Sequence, residues 1–301
     1  MWAEKTQPLD KRSHDRASIT RELRHLLSIQ SKPSRIETGM AWLDELLGRT
    51  LVLVAHPDDE CIAFGGLLQR MHEPVVVFAT NGSPADPFFW KKHGSREDYA
   101  ALRRREALAS MKAAGVKDVI FLADLPGGEA LVDQELFCNL IPAFDLLADI
   151  ARRRMITALL TLAYEGGHPD HDSCSFLAAQ LARFAELPCW EAPLYHRNAD
   201  GSGTFQQFVT PTGDETEVRL TPQEEQGKRA MCLAYGSQGD FLSHFRLSPE
   251  VVRPQIAYDY TRPPHAGKTN YEVWQWSMTA PEVCAAFADF LRTSSARAAK
   301  R

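Results

Sequence analysis

The sequence predicts an α/β protein with a Rossmann-like, mostly parallel sheet flanked by helices and a small C-terminal part that contains β-structure. Four short apolar runs, at residues 51–54, 75–79, 119–123 and 156–162, have the composition of strands buried on both faces of a sheet. Longer segments with helical spacing of apolar residues separate these runs. Strands that alternate with helices in this way form parallel sheets.

The other elements follow along the chain. Residues 1–16 are polar, and the apolar spacing over 17–47, interrupted at Pro33, predicts two helices before the first strand. Further helices are predicted at 62–71, 99–115, 134–154, 170–186, 222–235 and 280–291, and a fifth strand at 190–196. Alternating runs over 198–220 predict a β-hairpin, whereas 236–276 has no clear period.

We expect three parts of one protein: an N-terminal helical extension at 1–48, a core at 49–197, and a C-terminal portion at 198–301 that completes the same domain. The chain has 301 residues, of which 44% are hydrophobic and 24% charged, as is typical of globular proteins. Its net charge of -5 provides no general field for nucleic acid or anionic lipid. We therefore expect a small-molecule partner.

Six scattered cysteines without a C-x-x-C pair indicate reduced thiols and exclude a Cys-rich zinc ribbon. The first residues contain no apolar segment of the signal-peptide type, and no run of 18 apolar residues occurs. We expect a cytoplasmic protein without a membrane or nucleic-acid partner, and a homo-oligomer is compatible with the sequence.

Four ionisable residues, His56, Asp58, Asp59 and Glu60, follow the first strand directly, and together with Pro57 we call them the first packet. Open α/β sheets bind ligands at the carboxyl ends of their strands. His56 and Asp59 are three residues apart, so their side chains can reach one cation while Asp58 stays free. The alternative is that the three acidic residues only cap a helix.

A second packet, EGGHPDHD at 165–172, follows the strand at 156–162 and contains His168 and His171. One histidine and one carboxylate from the first packet with one histidine from the second would supply three ligands. A catalytic zinc site has three protein ligands and leaves a fourth position to water. The two packets together therefore favour a metal site over a helix cap.

These motifs resemble the LmbE-like or PIG-L-like metal-dependent N-deacetylases, which act on N-acetylglucosaminyl compounds. The residues that carry the resemblance are AHPDDE at 55–60, TNG at 80–82, RRRE at 103–106 and GGHPDHD at 166–172. They span about residues 50–195, and the two HPD packets are the specific part. The resemblance implies that 49–197 is the deacetylase core.

The resemblance and the chemistry of amide hydrolysis imply the same roles. His56, Asp59 and His171 would bind Zn²⁺, with Fe²⁺ or another divalent ion as alternatives, and the ion would lower the pKa of its water to about 7. Asp58 would be the general base, and His168 would stabilise the oxyanion and protonate the departing amine. Asp170 would orient His168 and hold its tautomer.

Four further residues are candidates for substrate binding. By the register of the resemblance, Arg103 matches an arginine that reaches the substrate. Asn81 follows the second strand and is either a ligand contact or a turn former. Tyr164 stands four residues before His168, where some family members have an aromatic residue two before it, and His265 lies in an aromatic segment that could fold over the site.

The sequence therefore predicts a zinc-dependent N-deacetylase that removes an acetyl or other acyl group from an amino sugar or glycoside. An amidase for a larger acyl-amine conjugate and a non-catalytic metabolite-binding relative are the alternatives. The loop at 83–98, with Phe88, Phe89 and Trp90, would form a lid or substrate wall, or pack on the protein's own surface.

Overall fold

The computed structural model describes residues 43–298. Its helices are α1 (Leu43–Leu47), α2 (Asp59–Arg70), α3 (Pro87–Trp90), α4 (Arg96–Ala114), α5 (Leu140–Arg153), α6 (Pro169–Ala185), α7 (Pro222–Ala234), α8 (Gly239–Leu242), α9 (Asn270–Val273) and α10 (Ala280–Ala298). Its strands are β1 (Thr50–Val54), β2 (Val75–Phe78), β3 (Asp118–Phe121), β4 (Ala158–Leu162), β5 (Cys189–Ala192), β6 (Tyr195–Arg197), β7 (Gly203–Phe205), β8 (Thr216–Val218) and β9 (Glu250–Pro254). The predicted helices over 17–47 lie outside the described residues, except for the part that coincides with α1.

A seven-stranded sheet in the order β3-β2-β1-β4-β5-β9-β8 forms the centre of the fold. Strands β1 to β5 pair in parallel, whereas β9 pairs antiparallel with both β5 and β8. A separate antiparallel pair joins β6 and β7. The predicted fold class, a mostly parallel sheet with a small additional β-containing part, is confirmed.

Both faces of the sheet are covered by helices. Along β1, Val52 and Val54 point into a core with α2, α4 and α7, whereas Leu51 and Leu53 point into a core with α5, α6 and α10. This explains why β1 contains no exposed residue and reads as a continuous apolar run.

The strand order places the two ionisable packets side by side. The chain runs from β1 outward to β2 and β3, then returns to β4 on the other side of β1. Ligands in open α/β sheets bind beyond the carboxyl ends of the strands at such a reversal of order. The first packet follows β1 and the second follows β4, so both lie at this position.

The buried ion pair of Lys228 and Glu250 connects α2 to the C-terminal part of the protein. Nζ of Lys228 donates to Oε1 of Glu250 at 2.7 Å and to the backbone oxygen of Ile62 at 2.9 Å. The two carboxylate oxygens of Glu250 accept hydrogen bonds from the backbone N–H groups of Gly66 and Leu67. This carboxylate therefore satisfies backbone donors inside α2, the helix that begins in the first packet.

The sequence-based elements differ from the structure in several places. The hairpin predicted over 198–220 is wrong, because β7 pairs with β6 and β8 pairs with β9. The predicted helix at 134–154 begins as a short 3₁₀ turn at Leu136–Asn139 before α5, because the backbone N–H groups of Gln134 and Leu136 bond to Asp170. The predicted strand at 190–196 is divided into β5 and β6. The segment at 236–276 contains β9 as well as α8 and α9, none of which the sequence analysis identified.

The loop at 83–98 contains α3 and a 3₁₀ turn at Lys91–His93 before α4 begins. Within residues 43–298, none of the helices has the length and apolar character needed to cross a membrane.

Candidate active site

A cleft of about 810 Å³ opens at the carboxyl ends of β1 and β4. Six of the ten predicted site residues line it: His56, Asp58, Asp59, Arg103, His168 and His171. The structure therefore brings the two packets together, although His56 and Asp170 are 114 positions apart in the sequence.

The turn between β1 and α2 fixes the first packet. Asp58 has φ of 130°, a backbone conformation that residues with a Cβ rarely adopt and that is found at functional sites. Its backbone oxygen accepts the N–H groups of Cys61 and Ile62, which closes the first turn of α2. The backbone N–H of His56 donates to Oδ2 of Asp59 at 2.8 Å. These bonds hold His56 and Asp59 on one side of the turn.

Asp59 lies between the two predicted histidine ligands. Its Oδ2 is 3.5 Å from Nδ1 of His56, and its Oδ1 is 3.2 Å from Nε2 of His171. All three side chains are buried. The predicted ligands are thus immediate neighbours.

Asp58 faces Arg103 instead of these histidines. Its Oδ1 is 3.2 Å from Nη2 of Arg103, which also donates to the backbone oxygen of Pro57. Arg103 is on α4 and is the one buried arginine of the 103–105 run, whereas Arg104 and Arg105 are exposed. The register that assigned the functional position to Arg103 agrees with this burial pattern.

The second packet forms the start of α6. His168 is the N-cap residue, and its Nδ1 accepts a hydrogen bond from the backbone N–H of Asp170 at 3.1 Å. Pro169 occupies the first helical position, where it needs no hydrogen-bond donor. A Cβ at Gly167 would collide with the backbone oxygen of Tyr195. This glycine therefore permits close approach to β6.

Asp170 acts on different partners from those predicted. Its Oδ2 is 3.0 Å from Nε2 of His56 and accepts the backbone N–H of Gln134, and its Oδ1 accepts the N–H of Leu136. Oδ2 is 3.9 Å from Nδ1 of His168. The tautomer of His168 is therefore set by the backbone N–H of Asp170, not by the predicted carboxylate, and the ring proton lies on Nε2.

Asp133 is the site residue that sequence reasoning missed. Its Oδ1 is 3.3 Å from Nε2 of His56 and 3.4 Å from Nε2 of His168, and the residue lines the cleft. It lies in the loop between β3 and α5, whose backbone is anchored by Asp170 at Gln134. The signal available in the sequence was an acidic residue just before a predicted helix, on the loop after the third strand.

Burial and neighbouring charges perturb the acid–base groups. Burial raises the pKa of the Asp58 carboxyl to about 7, against the opposing charge of Arg103. Burial also opposes ionisation of Asp59, but His171 outweighs it and holds the pKa of Asp59 well below its usual value. Burial, together with the charge of His56, lowers the pKa of His168. A neutral His168 with its proton on Nε2 is a hydrogen-bond donor toward the cleft.

The donor set is suited to a divalent cation. Nδ1 of His171 is buried and lacks a hydrogen-bond partner within the described residues. Nε2 of His171 and Oδ1 of Asp133 contact neighbouring side chains at 3.2 to 3.4 Å but without hydrogen-bond geometry. Imidazole and carboxylate groups together bind zinc and other first-row divalent ions. Unpartnered buried nitrogens are costly in a folded protein unless a ligand satisfies them. The residues at the cleft base therefore fit a metal ion.

Two sets of side chains have donor atoms all within 4.8 Å of one another: His56, His168 and His171 form one, and His56, Asp133, His168 and Asp170 form the other. Asp59 is in neither set. We favour Asp59 as a ligand because it contacts both His56 and His171 and is held in a fully ionised state. The ligand set of His56, Asp59 and His171 stays a prediction.

The other three residues predicted to bind substrate are not among those that line the cleft. Oδ1 of Asn81 accepts N–H groups of Ser83 and Asp133, so it organises the loops beside the site. The Tyr164 hydroxyl donates to the backbone oxygen of Arg262 at 2.8 Å, and its ring packs against Tyr260. Tyr164 is therefore directed into the core and does not replace the aromatic residue that some family members have near His168.

His265 is half-buried and lies against Gly166, away from the cleft. A Cβ at Gly166 would be 3.1 Å from its Nε2. Its ring centroid is 6.3 Å from that of His196. The structure places His265 behind the second packet.

Residues 51–182 match the family model described as "PIG-L: GlcNAc-PI de-N-acetylase". The matched segment contains both packets, Arg103 and Asp133. The resemblance to the LmbE-like and PIG-L-like family is therefore confirmed over this segment.

Two curated Bacillus proteins are similar to the chain, and each is described as "Probable N-acetyl-alpha-D-glucosaminyl L-malate deacetylase 2". The protein from Bacillus subtilis (strain 168) is 29% identical over 132 residues, which cover 41% of this chain and 56% of the relative. The protein from Bacillus cereus is 27% identical over 150 residues, covering 48% of this chain and 65% of the relative. The matches therefore span less than two thirds of the length of each relative.

Solved structures share the fold. A deacetylase from teicoplanin biosynthesis, in a complex termed deacetylase-bog, has a TM-score of 0.54 at 19% identity, covering 70% of this chain and 99% of the other. The A40926 pseudoaglycone deacetylase Dbv21 has a TM-score of 0.52 at 17% identity, covering 70% of this chain and 98% of the other. At this level of identity the similarity establishes the architecture only.

Proposed function

We propose that this protein is a metal-dependent hydrolase that removes the N-acetyl group from an N-acetylglucosaminyl compound. The observation that carries this proposal is the convergence of the two packets in one cleft, within the segment that matches the de-N-acetylase family model. The names of the Bacillus relatives support the same substrate class. Zinc is the ion we expect, and Fe²⁺ is the alternative.

The ion would be held by His56, Asp59 and His171. When bound, it supplies Lewis acidity toward the amide carbonyl and lowers the pKa of a water molecule. Asp133 and Asp170 contact His56 from the side opposite Asp59, so they would keep its ring in place.

Asp58 accepts the proton of the attacking water. It lines the cleft beside Asp59 but makes its ion pair with Arg103, so its carboxylate is available for proton transfer. Arg103 and the strained turn at Asp58 fix the direction of this carboxylate. A general base must lie within hydrogen-bond reach of the proton that it takes, and the position of Asp58 at the cleft supports this role.

His168 lines the same cleft as Asp58. Its Nδ1 is occupied by the backbone N–H of Asp170, so Nε2–H is the group that faces the substrate. This group donates a hydrogen bond to the developing oxyanion. The departing amine takes its proton from the Asp58 carboxyl, which gained it from the water, because a neutral imidazole is too weak an acid for the transfer that the sequence predicted for His168. The products are acetate and the free amino sugar.

The test is acetate release from N-acetylated sugars by the purified protein, before and after removal of metal with a chelator. We expect release by the untreated protein, loss after chelation, and recovery on addition of Zn²⁺ or Fe²⁺. Metal binding without acetate release from any acylated amine would favour the non-catalytic alternative. Release of longer acyl groups only would favour the amidase.

A further inference from the structure

One side of the cleft is formed by a row of aromatic rings, which we call the aromatic wall. It consists of Phe88, Phe89, Trp276, Trp274, Tyr195 and Phe241, all of which line the cleft. Successive ring centroids along this row are 5.4, 6.4, 5.1, 6.3 and 5.7 Å apart. The wall is therefore continuous.

The aromatic wall starts at the reacting centre and extends to the rim. Trp276 lies edge to face with His168 at 4.9 Å, and Tyr195 lies 5.4 Å from His171. Toward solvent, Phe88 is 70% exposed and Trp274 is 39% exposed. Large aromatic side chains that remain exposed beside a site are typical of ligand-binding surfaces.

The volume available exceeds what an acetylated monosaccharide alone would need. Beside the main cleft of about 810 Å³, a pocket of about 270 Å³ shares Tyr195, Phe241 and Trp274 with it. Phe205 adds a further ring to this side pocket. Pockets of such total size hold ligands much larger than one sugar ring. A substituent on the amino sugar that fills this volume would contact the aromatic wall.

The charges in the cleft restrict the chemistry of that part. Four aspartates line it, Asp58, Asp59, Asp86 and Asp133, and Arg103 is the only lysine or arginine among its lining residues in the described part of the chain. The guanidinium of Arg103 already contacts Asp58 and Pro57. The side pocket is lined by Arg197, whose guanidinium is engaged with Asn270 and the backbone oxygen of Gly201. A carboxylate or phosphate on the substrate would therefore face mainly aspartates in the main cleft, whereas a flat uncharged ring would meet matching surfaces.

We propose that the substrate is an N-acetylated amino sugar that carries an uncharged aromatic aglycone, and that the aromatic wall binds this aglycone. The proposal rests on the N-deacetylase function given above and names its substrate class. Stacking on the rings between His168 and the rim would hold the acetamide at the base of the cleft.

The experiment compares kcat/KM for acetate release from four probes: free N-acetylglucosamine, its methyl glycoside, its 4-nitrophenyl glycoside and N-acetylglucosaminyl malate, with both anomers of the glycosides. We expect the aryl glycoside to exceed the methyl glycoside and the malate conjugate by at least about 10-fold. Equal values, or preference for the malate conjugate, would overturn the substrate class while leaving the deacetylase function intact. No release from any probe would count against both.

Variants test the wall itself. Trp274→Leu and Phe88→Leu should each lower kcat/KM for the aryl glycoside about 5- to 10-fold. The value of kcat/KM for the methyl glycoside should change less than about 2-fold. Val273→Ala is the matched control, since Val273 is equally exposed on α9 but does not line the cleft. It should leave both substrates unchanged. An equal loss for aryl and methyl glycosides in both leucine variants would refute aglycone binding by the wall.

Discussion

Oδ1 of Asp58 lies 3.2 Å from Nη2 of Arg103, and each of the two residues is only 5% exposed. Arg103 also contacts the backbone oxygen of Pro57, so one guanidinium holds both the turn and the carboxylate that it presents. Nη2 makes both contacts, and the rigid planar guanidinium fixes the direction of its N–H bonds, whereas a lysine ammonium on a flexible stem would not. Arg103 is therefore a positioning residue for the proposed general base.

The first prediction concerns Arg103→Lys. We expect kcat for acetate release to fall about 100-fold, because a small misplacement of the base is costly, while metal content stays at the wild-type value. Arg105→Lys is the control, because Arg105 lies two positions along α4 and is exposed. Unchanged kcat in Arg103→Lys would show that Asp58 is held by other contacts.

The second prediction concerns Asp133, whose carboxylate contacts both His56 and His168. Asp133→Asn should lower activity or metal affinity about 10- to 100-fold, as is usual for groups that orient metal ligands and acid–base residues. Steady-state kinetics and metal titration measure the two effects separately. Asp124→Asn, which alters an exposed aspartate on the same loop, should match wild type. A fully active Asp133→Asn protein would remove Asp133 from the site.

The third prediction concerns the buried pair of Lys228 and Glu250. Lys228→Met leaves the carboxylate of Glu250 buried without its cation and should lower the free energy of unfolding by about 3–5 kcal/mol. The double variant Lys228→Met/Glu250→Gln should be less destabilised than the sum of the single variants, as measured by urea denaturation. Additive losses would indicate that the pair contributes no coupling. Lys228→Met should also weaken metal binding, because Glu250 bonds to backbone N–H groups of α2, the helix that begins at Asp59.

The fourth prediction is a pH dependence of stability arising from Glu191 on β5. Burial raises the pKa of this carboxyl to about 7, although Tyr258 and Arg253 oppose the shift. The folded state therefore binds more protons than the unfolded state between about pH 4.5 and 7, and the contribution of Glu191 to stability is lost as the pH rises through that window. In Glu191→Gln, the urea midpoint of unfolding should decrease less between these pH values than it does in the wild type. An unchanged slope would contradict this.

Much of the fold was predictable because β1, β2 and β4 are buried on both faces, which leaves an apolar run in the sequence. The strand β9 was not predictable by this pattern. Its Glu250 and Arg253 are buried, but their charges are satisfied by Lys228 and by Glu191 on β5. Paired charges inside a sheet make a strand look like a polar loop, and only the tertiary partners reveal it.

The site was predictable where its residues are concentrated in short packets, as at His56 to Asp59 and His168 to His171. Asp133 and the aromatic wall could not be predicted in this way. The contacts of Asp133 with the histidines, and the contacts between the rings of the wall, join residues that are close only after folding. Trp274 and Trp276 come from a segment with no clear period, and Trp276 packs against Phe89 of α3, which is distant in the sequence. The sequence predicted that Asp170 acts on His168. It did not predict that the backbone N–H of Asp170 makes this contact, because that depends on the N-cap geometry of His168 at the start of α6.

We propose that His56, Asp59 and His171 bind a divalent ion while Asp58 transfers a proton without binding it. The metal content of Asp58→Asn, determined on the same sample as its rate of acetate release, tests this division of roles. We predict metal at the wild-type stoichiometry with acetate release reduced at least about 100-fold. An Asp58→Asn protein that retains full activity, or that loses its metal along with its activity, would contradict the account.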